Sequence, residues 1–430
     1  MVNLTTATIL LIGSFLLFIL LRFPIAYSLG ISSVLTVIYL GMPIEIVAQN
    51  IVRGINAFSL MAVPFFIIAG DLMSSGGIAS RLVKLADALV GWMRGGLAIV
   101  NIVASMFFGG ISGSSAADTA SLGPILIPMM NKQGYDNEFS TCITCSSSVQ
   151  GMLIPPSHNM VIFAMVAGSV SVGALFLAGF VPGMLLGIAL IIYSLIVSKK
   201  RNYPKGDRFS LKTAWIAFKE AIYGLITVLI VVVGVITGLF TATEAAGLSV
   251  IWAFFVTFFI YREIPLKEFW TILGRSLKTV AMVMIIIGTS AAFGWLLAYL
   301  KVPEMVAGGI LGLTQNKFLV LLIINIILLI FGMFMDMAAI ITITTPILLP
   351  IAMQVGMDPV HYGAMMILNL GIGVLTPPVG TTLFIGSAIS GLKIEQLAKS
   401  MLPIYGVMLI TLFFVIYFPQ ITMTLPALMM

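Results

Sequence analysis

The chain has 430 residues, of which 60% are hydrophobic and 8% charged, against roughly 25% charge in a soluble domain. The net charge of +6 is concentrated in one segment, which argues against nucleic-acid binding. About ten apolar stretches approach the roughly 20 residues needed to cross a bilayer, so the composition predicts an all-α polytopic membrane protein.

The first half of the chain, residues 1–220, opens with apolar segments that predict scaffold helices in the membrane. These spans lie near 4–21, 24–41 and 58–73. Two weakly amphipathic pieces, 44–57 and 78–93, are predicted to lie along the membrane surface, with docking of a partner protein as the alternative.

A cluster of small residues interrupts the next apolar segment, about 95–130. The seven residues from Gly109 to Ser115 are Gly, Ser or Ile, and a helix does not run smoothly through them. Two apolar arms around this tip predict a re-entrant hairpin that turns back inside the protein. A single kinked span with small residues packed at its contacts is the alternative.

Consecutive prolines break the helix that follows, within about 137–170. Proline cannot donate a helical hydrogen bond, so Pro155-Pro156 predicts a helix that stops near Gly151 and restarts near Ser157. Broken backbone at membrane depth is tolerated only where it is buried in protein or lines a watery cavity. A further span is predicted near 174–198.

A basic linker, 199–219, joins the two halves. Its seven Lys and Arg residues indicate by the positive-inside rule that it faces the cytoplasm. A plain solvated connector would have the same composition.

The second half, residues 221–430, is predicted to repeat this plan. A second hairpin at about 317–352 has its tip at Asp336. A second broken helix, about 359–391, stops near Gly373 and restarts near Val379, around Pro377-Pro378. The other predicted spans lie near 222–240, 245–262, 276–300 and 400–424, with an interfacial piece at 264–275.

Sequence identity supports the duplication. At an offset of 222 residues, 13 of the 47 positions from Gly110 to Pro156 are identical in Gly332–Pro378, without a gap. Paired apolar segments broken by Gly and Pro in two halves indicate the binding site of a secondary transporter.

The hairpin tips and helix breaks offer oxygen atoms to a hard cation. Free carbonyls at each break, with hydroxyls and a carboxylate at the tips, would suit Na⁺ as a coupling ion. The predicted Na⁺ ligands are Ser112, Gly113, Ser114, Ser115, Gly151, Pro155, Asp336, Gly373 and Thr376. No other metal and no organic cofactor is predicted.

Asp336 is the sharpest candidate, because a buried acid in an apolar segment is expensive and implies a function. It is the counterpart of Ser114, and capping of the following helix is its alternative role. Asp118, whose counterpart is Ile340, fits capping as well as ion binding. Three alternating threonines either line the cavity or bond back to their own helix, namely Thr342, Thr344 and Thr345.

An anionic substrate is predicted at the restarted half-helices, whose N-terminal ends carry partial positive charge. The predicted substrate-binding residues are Ser157, His158, Asn159, Gly380, Thr381 and Thr382, with a packed neutral side chain as the alternative for His158. Lys132 and Lys317 are the only Lys or Arg residues in 95–197 and 302–392. Bound Na⁺ would therefore supply the countercharge that a buried anion needs.

Enzymatic motifs are absent from the sequence, which predicts that the protein is not an enzyme. There is no P-loop and no H-E-x-x-H, and the run Ser146–Ser148 lacks a nearby base. Cys142 and Cys145 are predicted to be packing residues, because no second pair accompanies them. A membrane enzyme acting on lipid is therefore a weak hypothesis.

Several motifs together resemble one family. The segment Gly238–Ala246 resembles the signature that opens the second half of the large membrane subunit of TRAP (tripartite ATP-independent periplasmic) transporters. Gly109–Asp118, the Pro-Pro turns and Gly332–Pro350 also match that family's pattern. Ala242 departs from it, since proline is expected there, but the position lies in the scaffold.

The resemblance implies an elevator-type fold of two inverted repeats in the bacterial inner membrane, with the linker inside and both termini outside. It implies Na⁺-coupled uptake of an organic anion, such as sialic acid or a dicarboxylate. It implies two protein partners, a small four-helix membrane subunit and a periplasmic substrate-binding protein. Ser115 and Asp336 fall where the family's tips bind ions. A stand-alone Na⁺/dicarboxylate symporter of similar fold is the alternative.

Overall fold

The computed structural model describes residues 3–21 and 23–429, and the regular structure in these ranges is helical apart from one isolated bridge between Arg94 and Lys205. Seven of the described helices are long and apolar enough to cross a membrane, or eight if α4 (Ala62–Ser75) and α5 (Ile78–Val90), bent by 70°, form one span. The polytopic membrane architecture expected from composition is therefore confirmed.

The first half contains eleven helices among the described residues. Besides α4 and α5 they are α1 (Leu4–Leu20), α2 (Ile25–Tyr39), α3 (Glu45–Ile55), α6 (Gly96–Ser112), α7 (Ser115–Lys132), α8 (Asn137–Ser147), α9 (Gln150–Leu153), α10 (His158–Ala167) and α11 (Val172–Lys200). A short 3₁₀ turn, Phe58–Met61, precedes α4.

The second half contains ten helices among the described residues. They are α12 (Leu211–Ile236), α13 (Ala242–Phe255, continued as a π-helix over Val256–Tyr261), α14 (Glu268–Tyr299), α15 (Val302–Leu313), α16 (Lys317–Phe334), α17 (Met337–Gln354), α18 (Pro359–Gly373), α19 (Thr381–Ser390), α20 (Ile394–Tyr417) and α21 (Gln420–Met429). Helices α15 and α21 were not predicted.

Two predicted segments have different bounds in the structure. The piece 264–275 is not a separate interfacial helix, because α14 runs without a break from Glu268 to Tyr299. The connector between the halves is only 201–210, since α11 continues to Lys200 and α12 begins at Leu211. Lys and Arg are compatible with helix, so basic composition alone did not locate these ends.

A capping box accounts for part of the sequence signature at Gly238–Ala246. The Thr241 hydroxyl accepts a hydrogen bond from the Glu244 amide at 3.2 Å, and the Glu244 carboxylate accepts one from the Thr241 amide at 2.8 Å. Ala242 is thus the first residue of α13, where proline is favoured but not required.

The connector is fastened to the base of the first hairpin by a group that we call the linker clamp, Asp136, Arg201 and Tyr203. Arg201 forms an ion pair with Asp136, and the Tyr203 hydroxyl donates to Asp136 Oδ2 at 2.6 Å. The Tyr203 hydrogen bond, followed by Arg201, lowers the pKa of the Asp136 carboxyl. The Gly95 amide also donates to the Pro204 carbonyl at 2.9 Å.

Both predicted hairpins fold back on themselves. In the first, Ser105 on α6 donates to Asp118 on α7 at 3.1 Å, and Asn101 lies 3.6 Å from Met130 Sδ, so the arms run antiparallel. In the second, Lys317 at the start of α16 donates to the carbonyl of Gly356, just beyond α17, at 3.0 Å. A single continuous span would separate each of these pairs, so the kinked-helix alternative is excluded.

Sixteen of the 21 described helices pack in two groups. Helices α1–α4 pack with α12–α14 in what we call the scaffold layer, through contacts of α4 with α13 and of α14 with α2, α3 and α4. The two hairpins and the helices α8–α10, α18 and α19 pack together in what we call the hairpin module. The groups meet where α4 contacts α6 and α10, and where α14 contacts α17.

Candidate functional site

The tip of the first hairpin is a two-residue turn. Gly113 has φ +60°, and a Cβ there would lie 2.9 Å from the Pro156 carbonyl oxygen, so glycine is required both by conformation and by space. Ser114 then caps α7, because its hydroxyl accepts from the Ala117 amide at 3.4 Å.

The tip of the second hairpin is built in the same way around an acid. Asp336 caps α17, accepting from the Ala338 amide at 2.9 Å, as its repeat counterpart Ser114 caps α7. The capping role considered for Asp336 is therefore present. Asp336 is exposed to the cavity that it lines, whereas Asp118 is completely buried.

Close glycine contacts seat each hairpin on the neighbouring broken helix. A Cβ on Gly109 would overlap Gly151 Cα, and one on Gly332 would lie 2.9 Å from Gly373 Cα. The backbones therefore touch directly, which places the carbonyl-rich breaks beside the tips. Gly151 and Gly373 provide this close contact in the structure.

Both Pro-Pro segments interrupt their helices. The first break lies between α9 and α10, and α8 ends earlier than predicted, at Ser147. The second lies between α18 and α19, which restarts at Thr381, two residues beyond the predicted Val379. The Val379 amide donates to the Met333 carbonyl of the second hairpin at 3.1 Å, so this break is also held at a tip.

A central cavity of about 350 Å³ lies between the hairpin module and the scaffold layer. Both tips, both restarted helices and two scaffold helices line it. Its polar and charged lining residues are Asp71 and Thr279 of the scaffold layer, with Ser112, Ser114, Ser115, His158, Asn159, Asp336, Thr381 and Thr382 of the hairpin module. Two carboxylates are among the described residues around this cavity, and no Lys or Arg is.

The structure thus brings eight predicted residues to one cavity and leaves seven outside its lining. Those outside are Gly113, Gly151, Pro155, Ser157, Gly373, Thr376 and Gly380. Most of the seven pack against the tips or stabilise the helix breaks. Thr376, for example, donates its hydroxyl to the Ile372 carbonyl at 2.8 Å. Thr342 and Thr344 do not line the cavity, because their hydroxyls bond back to carbonyls one turn earlier.

Three hydroxyls connect the two halves at the first tip. Ser115 Oγ lies 2.6 Å from Ser148 Oγ and 2.9 Å from Thr382 Oγ1. Ser148 follows α8 in the first half, whereas Thr382 is the second residue of α19 in the second half. Sequence reasoning missed Ser148, since only the tertiary fold brings it to Ser115.

A buried polar network lies behind this tip. Asn101 donates to Thr144 at 2.6 Å, and Ser147 donates to Asn101 at 3.3 Å. Ser105 lies 3.0 Å from Ser147 and donates to Asp118 Oδ1 at 3.1 Å. Asp118 Oδ2 has no hydrogen-bond partner among the described residues. Because an unpaired buried carboxylate oxygen is unfavourable, a nearby cation would stabilise it.

Almost the whole chain is similar to one family of transport proteins. Residues 12–421 match the model of the tripartite ATP-independent periplasmic transporter, DctM component. The isethionate TRAP transporter permease protein DctMQ of Oleidesulfovibrio alaskensis is 42% identical over 96% of this chain and 65% of the relative.

Two further relatives are matched along most of their own length. The C4-dicarboxylate TRAP transporter large permease protein DctM of Pseudomonas aeruginosa is 40% identical over 93% of both chains. The sialic acid TRAP transporter large permease protein SiaM of Vibrio cholerae is 40% identical over 90% of both.

Solved structures with little sequence identity share the fold. The YdaH transporter of Alcanivorax borkumensis superposes with a TM-score of 0.64 over 86% of this chain and 87% of that one, at 13% identity. The family match, the relatives and the apolar helices agree with the resemblance drawn from the motifs. The chain therefore belongs to the large permease, or DctM, family of tripartite ATP-independent periplasmic transporters, and it is a multi-pass protein of the bacterial inner membrane.

Proposed function

We propose that the chain is the subunit that carries Na⁺ and an organic anion across the membrane in a Na⁺-driven importer. The observation that carries this proposal is the central cavity, where both hairpin tips and both restarted helices converge. Discontinuous helices that meet at the centre of a membrane protein are the usual setting of ion and substrate sites.

The oxygen atoms around the tips fit Na⁺, which prefers such hard ligands. At the first tip, Ser115 and Ser148 of the first half and Thr382 of the second would contribute hydroxyls beside the carbonyls of the Gly151–Pro155 break. In the second half, Asp336 would contribute a carboxylate beside the carbonyls of the break that follows Gly373. The unpartnered, buried Asp118 Oδ2 supports a cation in the first region.

The carboxylate of the cargo would lie at the starts of α10 and α19. Both helices have ten residues and begin at the cavity, with His158 and Thr381. Their N-termini favour negative charge, but by only about 0.3–1 kcal/mol each. Since the cavity contains two carboxylates and no Lys or Arg, bound Na⁺ would supply the remaining attraction, and this dependence couples the two fluxes.

Transport would proceed by an elevator movement of the hairpin module along the scaffold layer. The cavity lies between these two groups, so a displacement of one along the other would change its access from one side of the membrane to the other. The cargo would be an organic anion of the sialic acid or C4-dicarboxylate type, in line with relatives that carry those names. A periplasmic binding protein would deliver it, and a small membrane subunit would complete the complex.

Uptake by proteoliposomes tests this proposal. The chain is reconstituted alone, with a small membrane subunit, and with that subunit plus the binding protein, and is offered a panel of radiolabelled organic acids. We expect uptake only from the complete system under an inward Na⁺ gradient. Equal uptake after replacement of Na⁺ by K⁺ at a fixed membrane potential would disprove coupling. Uptake by the chain alone would favour the stand-alone symporter.

A further inference from the structure

One acid on the cavity wall has no binding role in the proposal above. Asp71 lies on α4 of the scaffold layer and lines the central cavity together with Thr279 and Val283 of α14. Its neighbour Gly70 is packed against the first hairpin tip, where a Cβ on Gly70 would lie 3.3 Å from Ser112 Cα. Asp71 therefore faces the cargo space from the scaffold side, next to the moving tip.

The Asp71 side chain is held in place by α14. Ser276 is completely buried and donates its hydroxyl to Asp71 Oδ2 at 2.6 Å. Asp71 Oδ1 has no hydrogen-bond partner among the described residues, and Asp71 forms no ion pair within them. One oxygen is thus anchored and the other remains free to accept hydrogen bonds from a molecule in the cavity.

The two carboxylates of the cavity differ in their surroundings. Asp336 caps α17, so a helix N-terminus stabilises its charge. Asp71 is the tenth residue of the fourteen in α4, away from any helix start. A carboxylate with one free oxygen repels a second carboxylate nearby and attracts hydroxyl or ammonium donors.

The size of the cavity is compatible with a cargo longer than a four-carbon acid. About 350 Å³ lies at the lower end of the roughly 300–1,000 Å³ typical of pockets for drug-sized ligands. A four-carbon acid would leave part of this space unfilled. A longer molecule could place its carboxylate at the half-helix N-termini and reach the scaffold wall with its other end.

We propose that Asp71 is a cargo-recognition residue contributed by the scaffold layer. It accepts hydrogen bonds from hydroxyl or ammonium groups at the end of the cargo remote from its carboxylate. The site therefore prefers a polyhydroxylated or amino-bearing monocarboxylate over a short dicarboxylate. This inference rests on the proposed function, because it assumes that the cavity holds the transported anion.

Binding to the purified full-length chain tests the inference without the binding protein, which would otherwise filter the cargo. The dissociation constants of gluconate and succinate are measured in Na⁺ for the wild type, Asp71→Asn, Ser276→Ala and a control, Asp207→Asn, in the connector. We expect the wild type to prefer gluconate. Asp71→Asn should weaken gluconate binding by about 10- to 100-fold, as expected for loss of a hydrogen bond to a charged group.

The pattern across the variants separates recognition from structural damage. Succinate binding and the apparent Na⁺ affinity should not weaken in Asp71→Asn, and Ser276→Ala should lose gluconate affinity to a smaller extent. If Asp71→Asn does not fold, the Ser276→Ala variant decides the question by the same comparison of gluconate binding with succinate binding. Equal losses for both acids, unchanged gluconate binding, or a wild-type preference for succinate would overturn the inference. If Na⁺ changes the binding of neither acid to the wild type, the proposed coupling fails instead. The ratio of the gluconate and succinate dissociation constants still tests the role of Asp71 in that case.

Discussion

Replacement of Asp336 separates its two roles, the cap of α17 and a carboxylate in the cavity. Asparagine caps helices about as well as aspartate, so Asp336→Asn should keep the cap and change stability by less than about 0.5 kcal/mol. Asp336→Ala removes the 2.9 Å hydrogen bond from the Ala338 amide and should lower the free energy of unfolding by about 0.5–2 kcal/mol.

The effect on Na⁺ follows from the lost charge. Two opposite unit charges about 4 Å apart attract by about 4 kcal/mol in a partly polar protein environment. Desolvation of the ion offsets part of this, leaving on the order of 1.4–3 kcal/mol. At about 1.4 kcal/mol per factor of ten, Asp336→Asn should weaken apparent Na⁺ affinity by about 10- to 100-fold.

The assay is Na⁺-dependent uptake at varied Na⁺ concentration, with melting temperature measured in parallel. Both Asn and Ala variants should lose uptake at low Na⁺, although only the Ala variant should melt at lower temperature. Asp336→Ser, which copies the capping residue of the first hairpin, is a second charge-free control. Wild-type Na⁺ dependence in Asp336→Asn would remove Asp336 from the ion site and leave it as a cap.

Three further substitutions probe the packing and the linker clamp. Gly109→Ala should lower the free energy of unfolding by about 1–3 kcal/mol, and with it the melting temperature, because the added Cβ overlaps Gly151. The control Gly406→Ala, which has open space around it, should not lower the melting temperature. Equal stability of the two variants would contradict the backbone contact. Cys142→Ala should leave uptake unchanged and cost about 1 kcal/mol, because the buried thiol packs in the core and donates weakly to the Leu397 carbonyl at 3.7 Å. Lost transport would refute this. Asp136→Asn should lower stability by less than about 1 kcal/mol at neutral pH, since its ion pair is half-exposed. Because the clamp lowers the pKa of the folded carboxyl, its contribution is present above the ordinary value of about 3.9 and disappears as pH falls through the lowered pKa, so urea titrations of the variant and wild type should converge only in acid.

The hairpins and breaks were predictable because their causes are local. A run of Gly and Ser and a Pro-Pro pair each prevent a continuous helix, whatever the tertiary fold. The bounds of α14 were not predictable, since a polar first turn followed by apolar residues fits either one long helix or two separate helices. The surroundings of Asp336 were also out of reach, because the sequence does not indicate whether an acid at a tip faces protein or a cavity.

Residues whose role depends on contacts between segments far apart in the chain were also not predicted. Ser148 had no local feature beyond a serine run, and its contact with Ser115 depends on the packing of α7 against α8. Asp71 did carry a signal, as an acid within the apolar span 58–73, but it belongs to no repeated motif and was passed over. Ionisable residues inside any apolar span therefore need to be examined individually, including those outside the duplicated segments.

The two halves share a plan but are not chemically equivalent, and this difference has consequences for ion binding. The acid of the second half, Asp336, is exposed, whereas that of the first half, Asp118, is completely buried behind the hydroxyls of Ser115 and Ser148. Thr382 of the second half contacts Ser115, and both side chains are almost completely buried, so an ion in the first region should exchange slowly. We therefore expect two Na⁺ ions of unequal exchange rate, with the slower one in the first half. Thr382→Val, which removes the hydroxyl but keeps the shape, should speed up the slow exchange, and two kinetically identical ions in the wild type would contradict this reasoning.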